Sequence, residues 1–349
     1  MQKRHLGRSD LMVSQICLGT MTFGEQNSEE EAHAQMDLAA EREVNFLDMA
    51  ELYPTPPKAE TQGRTERFVG TWMKARANRD RTIVASKVVG RTANDWFRGG
   101  RPSKLVRADI LDAVDKSLDR LQTDYIDLYQ IHWPDRETLF GSNPMRVTAF
   151  AEPLADETPI GETLAVFGEL VKAGKIRHFG LSNESSWGVM RYVAEADEGV
   201  GPRAISLQNS YSLANRAYEV NLAETCHREG LGLLAYSPLA QGYLSGKYDH
   251  GALPAGSRKA LFNRLQRYEK PGAAEVFAAY NAMARDFGLT PATFGHAFVN
   301  SRPFVTANII GATTIAQLDE ALSSVDVGWT KEMQDAVDGL HQRVGNPCF

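Results

Sequence analysis

The chain has 349 residues, of which 43% are hydrophobic, and a formal net charge of −6. That length holds one large domain or two ordinary ones, and an α/β barrel of about 250 residues with long loops also fits. The basic residues are dispersed, no run of about 18 apolar residues exists, and the start "MQKRHLGRSD" has no apolar signal core, so composition points away from nucleic-acid binding, membrane insertion and secretion.

The first fifteen residues read as a short hairpin turning at Gly7-Arg8-Ser9-Asp10, placed to close the bottom of a barrel. "ICLGT" (16–20) is a strand, and 28–42 a helix with Ser28 as N-cap and acids in its first turn. "VNFLD" ends a second strand, followed by a helix at about 61–77. "TIVASK" (82–87) is the third strand, and 105–121 a helix with Leu111, Val114, Leu118 and Leu121 on one face. "YIDLYQIH" (125–132) precedes a helix at 161–172, "IRHFGLSN" (176–183) one at 185–196, and "AISLQN" (204–209) one at 217–229. "LGLLAYSP" (231–238) leads into helical segments at 272–287 and 291–300, and "TANIIGAT" (306–313) into one at 314–324. Eight strand-then-helix units without an interior linker or repeat predict a single (β/α)₈ TIM barrel domain over 1–349. Three stretches, 88–104, 133–160 and 237–271, are too long for simple turns. All three follow strands and so belong to the C-terminal face, where long loops carry function.

Each apolar run ends in a polar or special residue: Asp48, Lys87, His132, Ser182-Asn183, Gln208-Asn209, Tyr236-Ser237 and Gly311. In a barrel these ends converge on one mouth. Each has a bland explanation taken alone. Asp is a common turn former, a single Lys is usually a solvated charge, a His often sits satisfied at a rim, and Tyr53 before Pro54 can simply pack its ring. Together they describe one pocket. A lysine beside a phenol favours the phenolate and lowers the tyrosine pKa from about 10, an aspartate keeps the lysine charged, and a histidine donates to the same oxygen or relays a proton. Such a set is a general acid for a carbonyl becoming an alkoxide, and the carbon then needs a hydride from a nicotinamide or flavin.

The stretches "NFLDMAELYP", "IVASKV", "DLYQIHWPD", "GKIRHFGLSN", "SLQNSYSL", "LLAYSPLAQGYLSGKY" and "IIGATTIAQLDEAL" resemble the aldo-keto reductase superfamily over essentially the whole chain. Within it, the resemblance is to bacterial Tas-like reductases and the related potassium-channel β subunits. The resemblance implies a tetrad of Asp48, Tyr53, Lys87 and His132 with Tyr53 as proton donor, NADPH as cofactor and a small carbonyl compound as substrate. It further implies that Ser182, Asn183 and Gln208 hold the nicotinamide carboxamide and that Tyr236 stacks on the ring. Thr20 and Met21 fall where members contact the cofactor or line the pocket. Ser237, Leu239, Gln241 and Lys247 would grip the pyrophosphate and Arg258 the 2′-phosphate, with Gly311, Thr313, Gln317 and Glu320 at the adenosine end. Relatives carry Asn after the Glu320 position, where this chain has Ala321. No GxGxxG follows the first strand, which suits a nicotinamide site on a barrel better than a Rossmann sheet.

Two other classes compete with this reading. A metal-dependent barrel hydrolase needs several convergent ligands, and His132 alone is well placed; no metal is expected. A cofactor-sensing module like the channel subunits would not need the histidine that those subunits lack and this chain has. Cys17, Cys226 and Cys348 are far apart and odd in number, which fits a reduced cytoplasmic setting. Met21, Trp96, Phe97 and Trp133 are candidates for an apolar substrate pocket, with helix or core packing an equal alternative for Trp96 and Phe97, and the acidic stretch "FAEPLADETP" for a cover over the mouth or a contact with a neighbouring subunit.

Overall fold

The computed structural model describes residues 1–137 and 152–348. The chain opens with an antiparallel hairpin of β1 (Lys3–His5) and β2 (Met12–Ser14). Eight strands follow: β3 (Ile16–Gly19), β4 (Phe46–Asp48), β5 (Ile83–Val88), β6 (Ile126–Ile131), β7 (Ile176–Ser182), β8 (Ala204–Ser210), β9 (Gly232–Tyr236) and β10 (Val305–Ile310). Each is parallel to its neighbours, and β10 pairs with β3, closing the barrel. The strand faces explain the closure. Cys17, Phe46, Ala85, Leu128, Leu234, Ala307 and Ile309 fill the barrel interior, while alternate residues such as Leu18, Leu47, Val84 and Leu233 pack outward under helices. Leu6, Leu11 and Val13 of the hairpin join the interior cluster, so the hairpin plugs the bottom as expected. Gly7 has φ +57 and a Cβ there would lie 2.2 Å from the Ile205 carbonyl oxygen, so only glycine lets the turn seat this closely.

The helices are α1 (Glu29–Glu41), α2 (Arg64–Arg76), α3 (Arg107–Leu121), α4 (Ile160–Lys172), α5 (Ser186–Asp197), α6 (Leu222–Glu229), α7 (Arg258–Phe262), α8 (Ala273–Asp286), α9 (Pro291–Asn300), α10 (Ile315–Ser323) and α11 (Lys331–Val344). Ser28 caps α1 in a reciprocal capping box with Glu31. The helix expected over 217–229 divides. A 3₁₀ turn at Ala217–Glu219 is followed by α6, because Asn221 takes φ 71 and Arg216 is clamped by Glu219 and Asp338. The tail holds a helix that the strand-helix count did not include: α11 is capped by Thr330 and buries Val337 and Leu340.

The described residues of the three long stretches lie on the C-terminal side of their strands. The 88–104 stretch contains a 3₁₀ turn, Asp95–Arg98, in which Phe97 is buried. Most of "FAEPLADETP" is described, from residue 152 onward. There Asp156 pairs with Arg91 and Lys104, which ties the stretch to the loop after β5, and the Thr158 N–H donates to Asp135 just after β6 at 3.0 Å. No described helix is long and apolar enough to cross a membrane.

His296 on α9 is buried, and burial pulls its pKa down to about 4. The unfolded chain therefore binds more protons than the folded one between pH ~6.5 and ~4, and stability falls as pH drops through that window. The full contribution is about 3 kcal/mol. In urea denaturation at a series of pH values, His296→Gln is expected to flatten this slope. An unchanged slope would assign the acid sensitivity elsewhere.

Candidate active site

β4 and β5 deliver the central pair. Their inward faces run Phe46 to Asp48 and Ala85 to Lys87, so the last inward position of each strand is charged. Lys87 is fully buried, and its Nζ donates to Asp48 Oδ2 at 2.7 Å and to the Met49 carbonyl at 2.7 Å. Burial alone would lower the ammonium pKa. Asp48 and the Tyr53 hydroxyl outweigh it and hold the pKa above its ordinary value, so the lysine stays charged.

Two amides complete the aspartate's shell. Gln208 Nε2 donates to Asp48 Oδ1 at 2.8 Å, and Gln130 Nε2 lies 3.4 Å from the same oxygen. The resemblance assigns Gln208 to the nicotinamide carboxamide. Its Nε2 is engaged with Asp48, and its Oε1 receives no bond from a described residue. The strand-end pattern does not single out Gln130, which lies inside β6. The signal was there, since Gln130 is two residues from His132 and so shares its inward face. Gly180 on β7 makes room for it: a Cβ there would lie 3.1 Å from Gln130 Cγ and 2.5 Å from Ser206 Oγ.

Tyr53 and His132 lie over this pair. The Lys87 ammonium is 5.1 Å from the Tyr53 ring centroid, and the Tyr53 and His132 rings meet edge-on at 5.7 Å. The expectation of a lowered tyrosine pKa is corrected here. Burial raises the phenol above its ordinary value, and the pull of Lys87, although in the expected direction, does not overcome it. Tyr53 is therefore a protonated phenol at neutral pH. Burial and the Lys87 charge push the His132 pKa well down, leaving a neutral imidazole whose Nδ1 is buried without a partner among the described residues. The loop between Asp48 and Tyr53 is held by Glu51, which accepts from the Val89 N–H at 2.8 Å and from both terminal nitrogens of buried Arg98 at 3.0 and 2.8 Å. That clamp was not visible in the sequence, because Arg98 comes from a different long loop.

Around the mouth, Tyr236 OH donates to Asn183 Oδ1 at 2.6 Å, and Asn183 Nδ2 donates to the His132 carbonyl at 2.8 Å. Asn183 adopts φ 54, which turns its side chain back across β6. Ser182 Oγ donates to the Gln208 carbonyl at 2.8 Å. Thr20 is buried and its hydroxyl donates to the Asp48 carbonyl at 2.8 Å, so it ties β3 to β4, while half-buried Met21 accepts from the Thr55 N–H. Trp133 packs beside His132 with ring centroids 4.8 Å apart and donates to the Arg91 carbonyl.

After β9, Ser237 and Gln241 take positive φ, half-buried Leu239 packs on α9 at Gly295, and Gln241 Oε1 is buried without a partner among the described residues. Lys247 Nζ lies 5.3 Å from the Tyr248 ring. Arg258 opens α7 and has no carboxylate partner among the described residues. Lys259, the other candidate for that charge, is paired with Glu269 at 2.8 Å. After β10, Gly311 is exposed, Thr313 donates twice to Gln317 Oε1 at 3.0 Å, and Glu320 bonds Thr290. Ala321 is buried and adds its methyl to the core. Among the described residues, no three His, Cys, Asp or Glu side chains are arranged to hold a metal ion.

A closed (β/α)₈ barrel with a charged Lys–Asp pair beneath a protonated phenol and a neutral imidazole is built for acid–base work on a small molecule at its C-terminal mouth. The family model "Aldo/keto reductase family" matches residues 15–342, and the chain belongs to that family of oxidoreductases. It is 46% identical to Protein tas of Escherichia coli (strain K12) over 344 residues, 98% of each chain. It is 31% identical to the uncharacterized oxidoreductase YrpG of Bacillus subtilis (strain 168), covering 95% of this chain and 94% of that one. A probable voltage-gated potassium channel subunit beta of Arabidopsis thaliana is 30% identical, with 94% and 92% covered.

Proposed function

We propose that this protein is an NADP(H)-dependent reductase of aldehydes or ketones, with Tyr53 as the general acid. The observation that carries the reading is the buried, charged Lys87 held by Asp48 directly under the Tyr53 ring. One barrel domain spanning 1–349, working in the cytoplasm on a small carbonyl compound, completes the proposal.

The residues at the mouth fit a dinucleotide. Buried acceptors on His132 and Gln241 and a half-buried Arg258, none of them answered among the described residues, and the aromatic face of Tyr236 all ask for a polar, anionic, partly aromatic ligand. Ser182, Asn183 and Tyr236 would hold its nicotinamide end, Ser237, Leu239, Gln241 and Lys247 its pyrophosphate, Arg258 the 2′-phosphate, and Gly311, Thr313, Gln317 and Glu320 its adenosine. A bound nicotinamide would supply the hydride.

The chain's own groups do the rest. His132, kept neutral, donates to the substrate carbonyl and orients it. Tyr53 gives its proton to the oxygen as negative charge builds there. Lys87 stabilises the phenolate left behind, and Asp48, fixed by Gln208 and Gln130, keeps Lys87 charged and aimed. Loss of the proton makes Tyr53 an anion beside a cation, so the pair that burial makes costly in the resting state becomes favourable as the reaction proceeds.

NADPH should be favoured over NADH. A guanidinium forms charge-assisted, often bidentate bonds to a phosphate, worth about 1.5–3 kcal/mol, or roughly ten- to a hundred-fold in affinity. Lys259 is turned to Glu269 and does not compete for the role. In fluorescence titrations, Arg258→Ala is expected to lose NADPH affinity by that factor with little change for NADH. Equal losses for both cofactors, or none, would remove Arg258 from the 2′-phosphate. A panel of aldehydes and ketones run with both cofactors tests the function itself.

A further inference from the structure

Buried arginines of this protein are generally answered by carboxylates. Arg98 meets Glu51 at 2.8 Å, Arg120 meets Glu66 at 2.6 Å and Arg216 meets Glu219 at 2.7 Å. Two half-buried arginines between β9 and α8 differ: among the described residues, Arg258 and Arg267 have no carboxylate in ion-pair contact. Arg267 is the most informative. Its Nη1 donates to Tyr236 OH at 3.1 Å, and its guanidinium carbon lies 5.5 Å from the Tyr236 ring and 5.9 Å from the Tyr268 ring. Its Nε is buried and has no partner among the described residues. A cation with one neutral hydrogen bond and two aromatic faces is poorly compensated for the water it has lost, and an oxyanion would complete it.

The hydrogen bonds say where that oxyanion would sit. Arg267 bonds Tyr236, Tyr236 bonds Asn183, and Asn183 bonds the His132 carbonyl. Arg267 is thus linked to the end of the mouth where Tyr53 and His132 lie, and not to the adenosine end beyond β10. We infer that Arg267 is a specificity-determining residue that binds a carboxylate carried by the substrate, so that carbonyl compounds bearing an acid group are preferred over neutral ones of the same shape. This rests on the reductase reading above.

The same chemistry could serve a phosphate of the cofactor, and the experiment separates the two. Wild type, Arg267→Lys and Arg267→Met are compared with para-carboxybenzaldehyde and its neutral carboxamide at saturating NADPH. The wild-type kcat/KM ratio, acid over amide, is expected to be roughly ten- to a hundred-fold, the worth of one charge-assisted hydrogen bond. It should collapse toward one in Arg267→Met, through KM for the acid, and be partly kept in Arg267→Lys. A binding arm needs no turnover: benzoate should bind the wild type in calorimetry and bind Arg267→Met at least ten-fold more weakly. A wild-type ratio near one, or a ratio unchanged in Arg267→Met while NADPH affinity falls, overturns the inference. If neither aldehyde is reduced by the wild type, the reductase reading fails, and the benzoate titration still decides whether Arg267 binds an acid.

Discussion

Tyr53→Phe is expected to lower kcat for aldehyde reduction by roughly 10²–10⁴-fold, the usual worth of a positioned general acid, while NADPH binding is retained. The variant removes one hydroxyl and keeps the ring that packs edge-on to His132 and over Lys87. The pocket's shape is therefore preserved, and the loss reports proton donation rather than collapse of the site. The raised pKa of Tyr53 sharpens the expectation, because the wild-type phenol carries its proton throughout the neutral range and no pH adjustment substitutes for it. For His132 to serve as the acid in its place, the neutral imidazole would first have to become an imidazolium, which burial and the Lys87 charge both oppose. Stopped-flow single turnover, with cofactor affinity measured in parallel, checks the result. Undiminished turnover would take Tyr53 out of the acid role.

Separating Asp48 from Lys87 has the second largest expected effect. Both side chains are buried, and removing one partner of a buried ion pair typically costs 3–5 kcal/mol, because the remaining charge has no water to return to. Asp48→Asn should show that loss in urea denaturation, softened where Gln208 and Gln130 can rotate to meet the new amide. Lys87→Met should be comparably destabilised, since Asp48 then keeps only amide donors. The double variant, Asp48→Asn with Lys87→Met, should regain much of the stability, and its activity loss should be smaller than the product of the two single losses. Stability losses that simply add, together with multiplicative activity losses, would show that the two residues act independently.

What the sequence by itself determined was whatever depends on near neighbours along the chain. The eight strands follow from short apolar runs, and the polar residue ending each run named Asp48, Lys87, His132, Asn183 and Tyr236 without any knowledge of distance. Period-two alternation even held Gln130, on the same face as His132. The hairpin turn at Gly7 and the cap at Ser28 were legible for the same reason, because a turn or a cap is built within a few residues.

Only the tertiary structure decided what depends on contacts between distant segments. Gln208 reaches an aspartate 160 positions away, so its amide belongs first to Asp48, whatever it offers a ligand. The loop bearing Tyr53 is clamped by Arg98 from another loop, and Lys259 is drawn off by Glu269 while Arg267 has no carboxylate partner among the described residues. The sign of the Tyr53 shift is the clearest case. Its proximity to a lysine could be guessed from the strand ends, but burial and charge act in opposite directions, and which one prevails depends on how much water the closed mouth excludes. Pattern along a chain names the groups at a site; their pairing and protonation are set by three-dimensional packing, because electrostatic energies depend on distance and solvent rather than on order in the chain.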